Sequence, residues 1–388
     1  MDILLCKQGI FGGTDKLLSR LYQWLIENSY STDRVCVDEV DTDELKDCYD
    51  IAILPSSQLG DIDLLADKRI EVKRVLIWIM GMGAFSDSYY NYPPTRLFDR
   101  ILHMMYAKES KKTLQWLIRN DSIVFTDSVG IYNTYKSVGI TIPEEIDDNI
   151  FPIAVSTPER NVWDLGCSNR KNNIIHIAWV GRVSSDFKEI PLSHLIDDIS
   201  EYIQSSEVSI ELTIIGDGDA VGSIKKKALD TKYKIDFIDS IPYEGLNDYF
   251  VNYVDLLIAM GTSALDGAKA GCPTVVITPV RPTDPNRVAY RWIYDSVGYS
   301  LGEYPDLDIE TGQRRADFMT IMKEYLYNGL ISDRCFEYAQ KFSADVVFNK
   351  LINRKQPNCI DAEMKDHIRK FQILKKRKSA IKKILKRR

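Results

Sequence analysis

Arg182 and Lys188 stand six residues apart just past the apolar run Ile175–Val180, with Gly181 at the bend. Two cations leaving the carboxyl end of a strand can converge on a diphosphate, and the arginine fork suits it geometrically. The local alternative is a pair of solvated surface charges. Asp255–Asp266 carries the richest set of such residues. The apolar run ends at Gly261, and a helix is expected from Thr262 or Ser263 to Gly271, before Pro273. A helix start with free N–H groups and two hydroxyls attracts an anion. Asp266, one turn in, is placed to accept from ribose hydroxyls. Ser263-x-x-Asp266 is also nearly a capping box, which would occupy that carboxylate locally.

Two glycine turns are weaker signals. Gly12-Gly13 follows a short strand and opens a helix, without the Lys-Ser/Thr of a P-loop. Gly216 ends another apolar run, Ile210–Ile215, ahead of Asp217-Gly218. General-base candidates rest on position alone: Asp87, after the apolar strand Val75–Met80, and His103, in the helix-like Leu97–Tyr106. Tyr89, Tyr90 and Tyr92 lie in one segment and could stack on sugar rings or pack a loop onto the core. Arg281–Arg287 is a proline-bearing basic turn that could help hold an anionic ligand.

These residues need a scaffold, and the chain repeats one grammar twice. Strands are expected at Ile3–Cys6, Val35–Val37, Ile51–Leu54, Val75–Met80 and Ser122–Thr126, with a helix over Thr14–Asn28. After the polar, proline-bearing stretch Pro152–Asn173, strands are expected at Ile175–Val180, Ile210–Ile215, Ile235–Ile238, Leu256–Ile258 and Thr274–Ile277. Helices fit Ile190–Gln204, Gly222–Asp230, Tyr243–Asn252 and Thr262–Ala270. Strand–helix alternation of this kind predicts parallel α/β sheets. A late helix-like run covers Asp333–Asn353.

Size and composition agree. With 388 residues, 45% hydrophobic and 27% charged, two globular cores are expected rather than a disordered or fibrous chain. No apolar run approaches the roughly 20 residues of a membrane span, and the start lacks a signal peptide's pattern, so a cytoplasmic protein is expected. Seven scattered cysteines and four histidines, none at ligand spacing, argue against a disulfide framework, a His-rich metal centre or a His-based triad.

The net charge of −6 hides an asymmetry. Residues 365–388 carry 12 Lys/Arg against one Asp, and the rest of the chain carries 38 basic and 55 acidic residues. Phe371, Ile373, Leu374, Ile381, Ile384 and Leu385 fall on one side of a helix through this arm. An interfacial helix on anionic lipid is expected, with a solvated tail as the alternative. Nucleic acid is not expected, because the acidic body would be repelled by phosphate.

Taken in order, these pieces resemble the GT-B glycosyltransferases, especially the nucleotide-sugar transferases that build bacterial capsule and O-antigen polysaccharides. Gly12-Gly13 looks like the family's N-terminal Gly-Gly loop, and Phe151–Val155 like the segment ending its first domain. Gly181-Arg182 with Lys188 resembles the donor-diphosphate clamp, Ile215–Gly218 the next turn, and Leu265–Val276 the segment whose acidic residue holds the ribose. The sequence departs from the Glu-x7-Glu motif of many retaining members: Asp266 replaces the second Glu, and position 258 is Ile.

The resemblance implies a GT-B fold: two Rossmann-like α/β domains with parallel sheets facing a cleft, plus a basic C-terminal helix. The expected divisions are 1–155 on the acceptor side, a linker 156–173, a nucleotide-sugar domain 174–332, a crossover helix 333–356 and a membrane-associating tail 357–388. It implies a hexosyltransferase using a UDP- or GDP-sugar without a metal or other cofactor. Donor contacts fall on Gly12, Gly13, Arg182, Lys188, Gly216, Gly261, Thr262, Ser263 and Asp266. Arg182 and Lys188 carry the catalytic roles, with Asp87 as a base candidate on position only, and Tyr89, Tyr90 and Tyr92 take the acceptor side. The implied partners are a lipid-linked saccharide and the inner face of the plasma membrane, and a homo-oligomer is allowed. Rival readings are a non-catalytic GT-B homologue that binds or activates a transferase, and a nucleotide-sugar epimerase.

Overall fold

The computed structural model describes residues 1–6, 13–36, 45–80, 97–137, 139–142, 146–156, 174–280, 288–304, 312–354, 365, 366, 369, 370 and 373. Contacts divide the chain into two units, Met1–Ala154 with Val347–Arg388, and Val155–Val346.

In chain order the first unit holds β1 (Asp2–Cys6), α1 (Gly13–Glu27), β2 (Ser31–Val35), β3 (Cys48–Tyr49), β4 (Ile51–Pro55) and α2 (Asp61–Asp67). There follow β5 (Glu71–Val72), β6 (Val75–Ile79), α3 (Leu97–Arg119), β7 (Ile123–Phe125) and α4 (Ser128–Ser137). Five strands make a parallel sheet in the order β2-β1-β4-β6-β7, and β3 pairs with β5 apart from it. All five residues of β4 and of β6 are buried. A parallel sheet covered on both faces selects such unbroken apolar runs. Leu17, Leu18, Leu21 and Leu25 bury one stripe of α1.

Two expectations are corrected here. The strand expected at Val35–Val37 instead occupies Ser31–Val35. It is the sheet edge, half-exposed and largely polar, so no apolar run marks it. The helix expected to stop at Tyr106 continues to Arg119. Its charged centre, Lys108–Lys112, is composed mostly of helix formers, and Leu114 and Leu117 bury beyond it.

The second unit holds β8 (Ile174–Val180), α5 (Glu189–Ser205), β9 (Ser209–Ile215), α6 (Val221–Ala228), β10 (Ile235–Ile238), α7 (Tyr243–Tyr253) and β11 (Leu256–Ala259). There follow α8 (Thr262–Lys269), β12 (Thr274–Ile277), β13 (Tyr290–Trp292), α9 (Phe318–Tyr327), α10 (Ile331–Gln340) and α11 (Ala344–Ile352), whose residues from Val347 count with the first unit. The helix-like run Asp333–Asn353 is therefore two helices, broken where Val155 pairs with Ser343.

The second sheet runs β10-β9-β8-β11-β12-β13, with β13 antiparallel and the others parallel. Leu192, Leu195, Ile196 and Ile199 of α5 are buried at helical spacing. Each such side chain contributes roughly 1.5–3 kcal/mol of apolar burial. The chain is thus a mixed α/β protein with two Rossmann-like parallel-sheet units.

Strand order marks a candidate site. From β8 the chain adds β9 and β10 on one side and then β11 and β12 on the other, so strand order reverses between β8 and β11, where Val180 lies opposite Ala259. In open α/β sheets, ligands bind outside the carboxyl ends of the strands at such a reversal.

Candidate functional site

Both strands at the reversal end in residues that the sequence singles out. Gly181 follows β8, and a β-carbon placed on it would lie 3.1 Å from Lys188 Nζ and 3.8 Å from Ser263 Oγ. The ammonium and the hydroxyl therefore meet over one bare stretch of backbone. Gly216 lies underneath: a β-carbon there would come within 2.1 Å of the Gly181 carbonyl oxygen. Its glycine lets the Gly181 turn settle, which makes it a support rather than a contact surface. The Gly181 amide donates to Ile215 O at 3.0 Å, and Val183 N to Asp217 O at 2.9 Å, joining the two turns.

Lys188 is half-buried, and Phe187 lies beside it with its ring centroid 5.8 Å from Nζ. Burial first, and then the neighbouring Arg182 charge, pull its ammonium below the usual lysine value, against an opposing pull from Asp186. A cation held in this way is stabilised by any anion that arrives. Arg182 is different, with its side chain 65% exposed and only a 3.6 Å ion pair to Asp186.

Gly261 caps α8 with φ +64°, a conformation that favours glycine, and offers no side-chain bond to the helix. The N–H groups of Thr262 and Ser263 thus begin a helix without intrahelical acceptors. The N-cap is Gly261, so Ser263 lies inside the first turn and not at the capping position that a Ser263-x-x-Asp266 box requires. The Gly261 amide donates to Leu301 O at 2.8 Å. That loop is anchored from below: Arg291 and Glu303 form a fully buried ion pair, with 3.2 and 3.1 Å bonds from Nη2 to the two carboxylate oxygens. Ser300 and the Gly302 amide also donate to Glu303, and Arg291 Nε donates to Ser296 at 2.9 Å.

Asp266 is buried one turn into α8 and accepts from the Tyr243 hydroxyl at 3.3 Å. The buried Lys269 donates to that same hydroxyl at 3.2 Å and to Ser156 Oγ at 2.9 Å. Sequence reasoning missed Tyr243, Ser156, Arg291 and Glu303. Three of them stand outside any motif, and Tyr243 reads simply as a helix start. Lys269 lies within the Leu265–Val276 segment, but its sequence neighbours do not disclose its partners.

The structure brings together Gly181, Lys188, Gly216 and Ser263, with Gly261 and Thr262 opening the same helix. Gly13 opens α1 in the first unit. Gly12, Asp87, Tyr89, Tyr90, Tyr92 and the turn 281–287 lie outside the described residues, as does most of 365–388. His103 falls within α3. Among the described residues, no group of three His, Cys, Asp or Glu side chains is placed to hold a metal, and no helix is long and apolar enough to cross a membrane.

A separate cavity of about 550 Å3 in the first unit is lined by Asp121, Asp148, Asn149, Phe151, Lys350, Asn353 and Arg354. Arg354 pairs with Asp121 and donates to Asn149 Oδ1 at 2.6 Å. Burial raises the Asp121 carboxyl in spite of that guanidinium.

No protein-family model and no curated protein matches the chain. Among solved structures it is similar to the lipopolysaccharide outer core galactosyltransferase WaaB in its apo form, at 13% identity over 91% of this chain and 98% of that one, with a TM-score of 0.48. It is similar to OtsA at 12% identity over 90% of this chain and 80% of that one, with a TM-score of 0.47. An α-glucosyltransferase in complex with UDP and a 13-mer DNA gives 12% identity over 91% and 98%, with a TM-score of 0.44.

Proposed function

We propose that the chain is a nucleotide-sugar-dependent glycosyltransferase of the GT-B type. The observation that carries this reading is the meeting of Lys188 and Ser263 over Gly181 at the strand-order reversal. A strand end, a recessed cation, an exposed arginine and a helix start without a side-chain cap together suit a diphosphate.

In the reaction the bond from the anomeric carbon to the diphosphate oxygen breaks, and its electron pair stays on that oxygen. The acceptor hydroxyl oxygen bonds to the anomeric carbon and gives up its proton. Lys188, Arg182 and the α8 amides stabilise the charge that builds on the departing diphosphate. Asp266 holds the ribose, and Gly216 supports the turn. Asp87 as base, the Tyr89–Tyr92 segment as acceptor platform and Gly12-Gly13 as donor loop belong to the same proposal. So do a UDP- or GDP-hexose, a lipid-linked glycan acceptor in cell-surface polysaccharide synthesis, and an anionic membrane face held by residues 365–388.

The second reading is a non-catalytic homologue that binds a transferase partner. It is favoured by Ile258, fully buried in β11 where retaining relatives of the resembled family carry an acidic residue. Incubation with UDP- and GDP-hexoses and a polyprenyl-diphosphate glycan separates the two. Acceptor-dependent release of nucleoside diphosphate is expected of the enzyme. Nucleotide binding without release from any donor would favour the partner.

A further inference from the structure

Asp266 is buried in α8, three residues beyond Ser263 and on the same helical face. A buried carboxylate must be hydrogen-bonded, and the bond it accepts decides where the group points. Tyr243 supplies one such bond, from the first residue of α7, which enters from the carboxyl end of β10. Its hydroxyl also accepts from Lys269 Nζ, and Lys269 is tied in turn to Ser156. The ammonium stands 5.2 Å from the Tyr243 ring centroid. A hydroxyl that accepts from a cation is polarised to donate onward.

We propose that Tyr243 and Lys269 are positioning residues that aim the Asp266 carboxylate at the donor's ribose. This inference rests on the donor-site reading above. The direction of the chain is fixed by chemistry: a lysine ammonium only donates, so Tyr243 must accept from it and turn its proton to Asp266. A carboxylate has about four lone-pair sites, so the Tyr243 bond orients it without exhausting it. Tyr243 is 49% exposed, which leaves much of the ring open to solvent beside the carboxylate. Lys269 carries no role in holding the diphosphate. Its effect on the donor passes through Tyr243.

The experiment is a calorimetric titration of the full chain with UDP, GDP and their 2′,3′-dideoxy forms. Wild type is expected to prefer the ribose form of its nucleotide by about tenfold, as charge-assisted hydrogen bonds require. Tyr243→Phe should weaken the ribose form by about fivefold to tenfold and leave the dideoxy form unchanged, so the preference nearly disappears. Lys269→Met should likewise weaken the ribose form and leave the dideoxy form unchanged, and Lys269→Arg should restore part of the preference. A general loss of folding would weaken both forms alike and lower the melting temperature, and that result contradicts the proposal. A full ribose preference in both Tyr243→Phe and Lys269→Met overturns this inference alone. Wild type that binds neither nucleotide overturns the donor site itself, and this inference with it.

Discussion

The Gly261 amide donates to the Leu301 carbonyl across 2.8 Å, tying the first turn of α8 to a loop that the Arg291–Glu303 pair holds from beneath. Both members of that pair are fully buried, so neither charge can turn to water. Glu303→Gln removes the buried carboxylate charge that faces the guanidinium and should cost roughly 3–5 kcal/mol, read as a lower urea midpoint. The double variant Arg291→Met with Glu303→Leu should recover much of that loss. Equal midpoints for the single and double variants would contradict a pair-specific cost.

Lys188 predicts a conflict between stability and binding. Its folded pKa lies below the unfolded value of 10.5, because burial and Arg182 oppose its charge. Between the folded pKa and 10.5 the unfolded chain holds more protons, so this group makes stability rise with pH through that window. Below the window its penalty is complete. Lys188→Met should therefore raise the melting temperature of the free protein at pH 7 and remove that part of the rise with pH. The same variant should lose most of its stabilisation by a nucleoside diphosphate. Thermal melts from pH 7 to 10, with and without nucleotide, check both signs.

Arg354 predicts a loss confined to the first unit. Its guanidinium is largely buried, its Nη1 has no hydrogen-bond partner among the described residues, and Asp121 is its ion-pair partner with the side chain 33% exposed. Breaking a buried pair is costly, and partial exposure of one member lowers the cost to roughly 1–3 kcal/mol. Arg354→Met should show that loss in urea unfolding while nucleotide affinity, which the proposed donor site assigns to the second unit, stays unchanged.

The basic arm predicts a separable anchor. Deleting residues 365–388 should abolish binding to vesicles containing anionic lipid and leave turnover of a soluble acceptor intact. Sedimentation with phosphatidylglycerol vesicles at low and high salt measures this. Vesicle binding that survives the deletion would contradict it.

Much of the scaffold was legible because burial writes itself into sequence. Buried strands such as Val75–Ile79 and Leu256–Ala259 are unbroken apolar runs, and glycines mark the turns that end β8, β9 and β11. The edge strand Ser31–Val35 left no such mark, because a half-exposed strand needs no apolar run. The position of Gly181, Lys188 and Ser263 follows from strand order, which local pattern does not contain. Residues joined across the fold were beyond reach for the same reason. Arg291 and Glu303 stand 12 positions apart and Lys269 and Ser156 113 apart, with no shared motif.

The donor site is tested most directly by calorimetric titration of wild type and Arg182→Ala with UDP and GDP in EDTA. Arg182 is exposed, so its loss should leave folding unchanged. A charge-assisted contact to the diphosphate is worth about 2 kcal/mol, or roughly thirtyfold in affinity. The account predicts that wild type binds one of the two nucleotides and that Arg182→Ala binds it about thirtyfold more weakly at an unchanged melting temperature. Binding of neither nucleotide, or equal affinity in the two proteins, would contradict it.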